Sequence, residues 1–310
     1  MQLARTGARI IWVASYPKSG NTWMRFLLTR LFEGKLLVSG DVDAFIPEAA
    51  AIPGQRLVLP GDGVALLKTH WEMTERIELM RETLGFVYLV RNPLDVMVSL
   101  FHFNQLRYLK GEQTAEQQEA SLRRYIEAFI AYKGNPLRGS GGGQTSWIGN
   151  IESWLRAGQH YPHVFVRYEN MLEDPINEVK RVLAFFRLQI TRNEIVQAVE
   201  ESSFKAMKKL EEKEIKKKQS GFFFHEDLSV MHQRGSRFMR SGKAGEGRRQ
   251  IRPDQLARFI QTFGVTMERV GYEIKPNTGA VRIAKEPVGE IVPLQESPTF
   301  RAAVIQHTQP

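Results

Sequence analysis

The sequence predicts an α/β protein of three layers, a central parallel sheet flanked by helices. Three observations carry that expectation. Apolar runs of strand length recur along the chain, segments with helical spacing stand between them, and the run 85–90 is apolar throughout, as a strand covered on both faces must be. Sheets of this kind bind ligands beyond the carboxyl ends of their strands. The residues at those ends therefore matter most.

The elements follow in order. Ile10-Ile11-Trp12-Val13-Ala14 reads as the first strand, Tyr16 to Gly20 as a loop, and Thr22 onward as a helix running to about Phe32. Val64 to His70 reads as a second strand, and Thr74 to Leu84 as a helix. Gly85 to Val90 is the third strand, followed by a helix over Leu94 to Phe101. A helix over about Ala115 to Tyr132 ends at Gly134-Asn135-Pro136 and the glycine-rich 139–143. Helix Trp147–Ala157, strand Val164–Tyr168 and helix Pro175–Phe186 complete the alternation. The stretch Lys205 to Lys218 is dense in lysine and glutamate, as on a solvated helix with Glu–Lys pairs. Residues 1–275 read as a single domain, and 276–310, with little periodicity, as a C-terminal tail or accessory arm.

Composition bounds the chemistry. The 310 residues are 42% hydrophobic, enough for a substantial core, and carry a net charge of +9, which suits anionic ligands. Cysteine is absent, which removes disulfides, thiol nucleophiles and thiolate metal sites. No apolar run of membrane-spanning length is present, and the first nine residues run directly into a strand, so the expectation is a soluble, cytoplasmic protein with no membrane span.

All four strand ends are polar: Lys18-Ser19, Lys68-Thr69-His70, Arg91-Asn92 and Arg167-Tyr168-Glu169. They read as one composite site. The loop Tyr16-Pro17-Lys18-Ser19-Gly20-Asn21-Thr22-Trp23 offers backbone N–H groups and an ammonium at a helix N-terminus, a place where phosphate is stabilised. It is P-loop-like, yet its lysine precedes the glycine, unlike Gly-x-x-x-x-Gly-Lys-[Ser/Thr]. The neighbouring strand ends in Arg91, where a nucleotide triphosphatase places an acid to hold Mg²⁺. The site is thus built to grip anions with cations, hydroxyls and amides, without need of a metal.

At this point the motifs resemble those of cytosolic-type sulfotransferases, as a bacterial-like member of that family. Tyr16 to Trp23 is similar to their 5′-phosphosulfate loop. Arg91-Asn92-Pro93-Leu94-Asp95-Val96-Met97-Val98-Ser99 is similar to their 3′-phosphate motif, and Lys68-Thr69-His70 to the strand end with their base. Val166 to Met171 and Ser202-Ser203-Phe204-Lys205-Ala206-Met207 look like the adenine-side segments. The resemblance covers about residues 10 to 245. It implies 3′-phosphoadenosine 5′-phosphosulfate (PAPS) as donor, PAP as product, and a small, hydrophobic acceptor with a hydroxyl or, less readily, an amine.

The resemblance also implies roles. His70 is the general base, Lys18 stabilises the leaving 5′-phosphate, and Lys68 stabilises the transferring group. Lys18, Ser19, Gly20, Asn21 and Thr22 bind the 5′ end. Arg91 and Ser99 hold the 3′-phosphate, Arg91 through a bidentate fork. Trp23, Tyr168, Ser202 and Phe204 contact adenine. Arg240-Ser241-Gly242 matches part of the family's Arg-Lys-Gly, with Lys243 as a stand-in for the displaced cation and the usual tryptophan missing. Phe101, His102, Trp147 and Phe223 are candidates for the acceptor pocket, the Phe222-Phe223-Phe224 cluster as core or as a lid over an apolar acceptor. Asn150 stands where many members carry a pocket histidine. Two other readings remain: a P-loop-like nucleotide kinase, and a non-catalytic basic protein binding nucleotide or nucleic acid. The first reading expects no nucleic acid partner and leaves the oligomeric state open.

Overall fold

The computed structural model describes residues 9–34, 38–49, 55–58, 63–74, 80–108, 114–135, 145–219, 221, 223, 237–275, 280–284, 288–301 and 304–307. A four-stranded parallel sheet forms its centre, from β1 (Arg9–Ser15), β3 (Val64–Thr69), β4 (Thr83–Val90) and β5 (His163–Arg167), in the order β3-β1-β4-β5. Side chains alternate across a strand, so each strand serves two layers. Ile10, Trp12 and Ala14 enter one core with Phe86, Tyr88 and Phe165, while Ile11 and Val13 enter the other with Val87, Leu89 and Val164. That is why these runs are apolar without interruption.

The first core is closed by α3 (Pro93–Tyr108), α4 (Ala115–Ala131), α5 (Trp147–Ala157) and α11 (Pro253–Arg269). The second is closed by α1 (Asn21–Glu33), α7 (Pro175–Phe186) and α8 (Arg192–Glu201). Short helices α2 (Gly40–Phe45), α6 (Tyr168–Glu173) and α10 (Glu246–Gln250) and the longer α9 (Phe204–Lys217) border the strand ends. Helix α9 is less solvated than its composition suggests. Glu211 and Glu214, three residues apart and so on one face, are fully buried and accept backbone N–H groups of 238–239 and of Ser39.

One sequence expectation changes here, and the segment read as a tail or accessory arm acquires a position. Where a helix was expected over 74–84, Met80–Glu82 is a single 3₁₀ turn and Thr83 already begins β4, because pairing with Ile10 of β1 extends that strand; residues 75–79 lie outside the described set. The segment read as a tail lies against the body. β7 (Ala280–Ile283) pairs with β6 (Tyr272–Lys275), and β8 (Val304–His307) pairs antiparallel with β2 (Gln55–Val58). Between them Val292 bridges His163 on one edge of the sheet, Leu294 is buried in the second core, and Phe300 bridges Val64 on the other edge. Aperiodic apolar residues spaced to cross the end of a sheet carry no helix or strand signature, so the sequence shows no reason to place them there.

Candidate active site

Parallel pairing puts the carboxyl ends of β1 and β3 side by side, with Ala14 opposite Thr69. The next residues, Ser15 and His70, therefore meet: His70 Nδ1 lies 2.8 Å from the Ser15 carbonyl oxygen and 3.2 Å from Ser15 Oγ. A carbonyl only accepts, so Nδ1 carries the proton and the lone pair of the neutral ring is on Nε2. Burial, then the charge of Lys68, push the His70 pKa down to about 3, with Glu48 and the Ser15 bond acting the other way. Lys68 is ion-paired to Glu48 at 2.8 Å. Burial lowers its pKa while Glu48 opposes. The segment bearing Glu48 is fastened to β3 by two 2.9 Å backbone hydrogen bonds, Ala49 N–H to Lys68 and Lys68 N–H to Pro47. It also hangs from buried Arg25 of α1, which donates to Asp43 and to the Ile46 carbonyl.

The loop between β1 and α1 turns on Gly20 at φ +96°, where a Cβ would stand 2.6 Å from the Tyr168 ring. Arg91 braces the loop, donating to the Lys18 carbonyl at 3.1 Å and to the Lys243 carbonyl at 2.9 Å, with its guanidinium 4.3 Å from the Tyr168 ring centroid. Lys18 Nζ sits between two aromatic faces, 4.4 Å from Phe103 and 4.5 Å from Phe238. Burial and the charges of Arg91, Arg240 and Lys68 lower its pKa to about 7. The segment 237–247 is held from two sides. Glu211 accepts N–H bonds from Phe238 and Met239, and the Asp95 carboxylate accepts those of Gly245 and Gly247. Glu246 in turn accepts from Arg240 and Ser241.

Most of the expected donor-side residues converge. Arg91 reaches the Lys18 main chain, and Trp23 meets Tyr168 edge-on at 6.0 Å. Phe204 lies against Gly242, whose added Cβ would stand 2.4 Å from that ring. Ser99 and Thr22 are half-buried on the α3 and α1 faces. Five buried polar atoms in this region have no partner among the described residues: the donors Ser19 Oγ, Trp23 Nε1, Arg91 Nε and Ser202 Oγ, and the amide oxygen Asn21 Oδ1. Buried polar groups without a partner are costly, so such a cluster fits an anionic ligand bearing several acceptors. The acids nearby are already engaged: Asp95 and Glu211 as above, and Glu169 by Asn92 N–H and the Tyr272 hydroxyl.

Other expected residues lie elsewhere. Asn21 is 5% exposed, and its amide nitrogen is engaged, donating to the Val13 carbonyl and to Ser15 Oγ. Arg167 turns away from the other strand ends and donates to the Gly271 and Ala284 carbonyls, leaving Tyr168 and the engaged Glu169 from that strand end near the site. Of the acceptor-pocket candidates, Trp147 is fully buried against Phe263, Phe101 packs on Tyr125, and Phe223 stacks on Phe26 in a core cluster with Met207. Such rings are first of all packing residues, and apolar type alone does not separate a pocket wall from a core. His102 stands on the donor side, where burial and the Arg240 charge lower its pKa. Phe222, Phe224 and the glycine-rich 139–143 lie outside the described residues. Sequence reasoning missed Ser15, Glu48, Glu211 and Glu246. The first three act through partners distant in the chain, and Glu246 through Arg240 and Ser241 a few residues before it; none carries a local signature.

A P-loop-like α/β fold with cations, a histidine and orphaned donors at one sheet end defines an enzyme that handles anionic groups. The Sulfotransferase domain family model matches residues 55–271, and the chain belongs to that family: it is a sulfotransferase. It is 26% identical over 266 residues to Sulfotransferase 1B1 of Canis lupus familiaris, covering 80% of this chain and 79% of the relative. It is also 26% identical over 279 residues to Sulfotransferase 1 family member D1 of Rattus norvegicus, covering 83% of each. Among solved structures, mouse sulfotransferase SULT7A1 complexed with PAP aligns with a TM-score of 0.59 at 21% identity, over 86% of this chain and 85% of that one. Retinol dehydratase in complex with androsterone and inactive cofactor PAP aligns with a TM-score of 0.59 at 19% identity, over 89% and 84%. These two likenesses concern the fold.

Proposed function

We propose that the enzyme transfers the sulfuryl group of PAPS to a hydroxyl of a small, apolar acceptor, by in-line displacement with His70 as general base. The observation that carries this is the pairing of a neutral imidazole, its Nε2 left free, with a cradle of Lys18, Lys68, Arg91 and Arg240 and four orphaned donors. Two solved neighbours of the same fold are PAP complexes, which supports the same donor here.

In this reading Arg91, Arg240, Ser241 and Ser99 hold the 3′-phosphate. The loop N–H groups, Ser19, Gly20 and Thr22 hold the 5′ end, and Trp23, Tyr168, Ser202 and Phe204 hold the adenine. His70 Nε2 accepts the acceptor's proton as its oxygen bonds to sulfur. The bond from sulfur to the 5′-phosphate oxygen breaks, and Lys18 meets the charge that collects on that oxygen. Lys68 stands beside His70 and stabilises negative charge on the sulfuryl oxygens. Phe103 and Phe238, beside Lys18, and Trp71, 36% exposed next to His70, are the apolar surfaces available to an acceptor. A nucleotide kinase is less well served, since the strand end that would carry its metal-holding acid is Arg91.

The test pairs binding with turnover. Calorimetry should show metal-free binding of adenosine 3′,5′-bisphosphate, and His70→Ala should keep that affinity within about threefold while losing roughly 10²- to 10⁴-fold in turnover of labelled PAPS. Binding of ATP that requires Mg²⁺, or retained turnover in His70→Ala, would overturn the reading.

A further inference from the structure

We infer that Asn21, acting through Ser15, is a positioning residue for the base rather than a ligand of the donor; this rests on the reading of His70 as base. Asn21 is the first residue of α1, and Ser15 is the last of β1. The Asn21 amide spans the intervening loop with two bonds, 3.0 Å to the Val13 carbonyl and 3.2 Å to Ser15 Oγ. Ser15 is fully buried and presents both its carbonyl and its hydroxyl oxygen to His70 Nδ1. The chain of contacts therefore runs from the first turn of α1 through the strand end to the imidazole.

The opposite side of His70 is fixed as well. Its backbone carbonyl accepts from Asn150 Nδ2 at 2.9 Å, and Asn150 Oδ1 accepts from the Tyr88 hydroxyl at 2.7 Å. With the main chain held from α5 and the ring held from β1, few orientations remain for Nε2. Asn21 adds the bond that pins Ser15 Oγ, so that both acceptors around Nδ1 keep their place. The arrangement joins the loop proposed to hold the leaving 5′ end to the group that takes the acceptor's proton, across two residues.

A donor ligand and a positioning residue differ in what their loss changes. Asn21→Ala should leave the affinity for adenosine 3′,5′-bisphosphate within about threefold of the native protein and its denaturation midpoint little changed, while kcat falls about 10- to 100-fold from a misaligned base. Ser15→Ala, which removes only the hydroxyl, should lower kcat in the same way. The double variant should be no slower than the slower single one, as expected for two members of one relay. Weakened bisphosphate binding with kcat unchanged would make Asn21 a donor ligand, and additive losses in the double variant would break the relay; either result overturns the inference. If Asn21→Ala fails to fold, Ser15→Ala still decides, since unchanged kcat there removes the link to His70. A failure of the base assignment is seen separately, as turnover retained in His70→Ala.

Discussion

Lys18 is expected to take up a proton when the donor's phosphates arrive. In the free protein its ammonium lies between the rings of Phe103 and Phe238, and burial together with Arg91, Arg240 and Lys68 lowers its pKa to about 7, with Glu211 opposing. At pH 8 a group of pKa about 7 is neutral in about ten molecules of eleven. A bound 5′-phosphate favours the charged form and returns the group toward the ordinary alkaline range of lysine. Binding of adenosine 3′,5′-bisphosphate at pH 8 should therefore consume about 0.9 proton, and affinity should weaken roughly eightfold for each further pH unit. The sign is set by the free state: a lowered pKa means that alkali removes the cation before the ligand can use it. Phosphate monoesters titrate near pH 6, so the measurement belongs between about pH 7.5 and 9. Calorimetry in buffers of different ionisation enthalpy reads the proton count from the slope of the observed heat. Lys18→Met should bring it close to zero. Uptake below about 0.3 proton in the native protein, or the same uptake in Lys18→Met, would refute the reasoning.

Two further outcomes follow from single contacts. Glu48→Gln removes the carboxylate that opposes the lowering of the Lys68 pKa, so the alkaline limb of the turnover profile should move to lower pH while bisphosphate affinity changes less than about threefold; an unmoved limb would show that the ion pair does not bear on turnover. Leu294→Ala empties a fully enclosed site beneath the sheet and should cost about 2–5 kcal/mol in denaturant unfolding, whereas a loss under about 1 kcal/mol would mean that the 288–301 segment contributes little.

The strands were legible because a sheet covered on both sides needs apolar residues at every position, a demand met locally in 10–14, 64–67 and 86–90. The helices Trp147–Ala157 and Pro175–Phe186 were legible to the residue, helped by Ser146 and Asp174 as N-caps and by Pro175 at the first position. The first turn of α3 was similarly marked by Pro93. The helix expected at 74–84 failed because pairing with β1, not local propensity, claims Thr83, with Leu84 at the irregularity before Gly85.

The site divides along the same line. Loop, arginine and histidine could be read in order because each sits where a strand ends, and the alternation of strand and helix carries those ends to one edge. Sequence alone thus determined the α/β class, the family, and the order in which polar residues close the strands. Only the tertiary structure decided that the Asn21 amide bonds Ser15, that Arg167 faces β6 and β7, that Trp147 and Phe223 are packing residues, and that Glu48, Glu211 and Glu246 hold the cations and their segments. The reason is physical: a side chain's type sets what it can bond, but its partner is set by the packing of elements tens of residues apart.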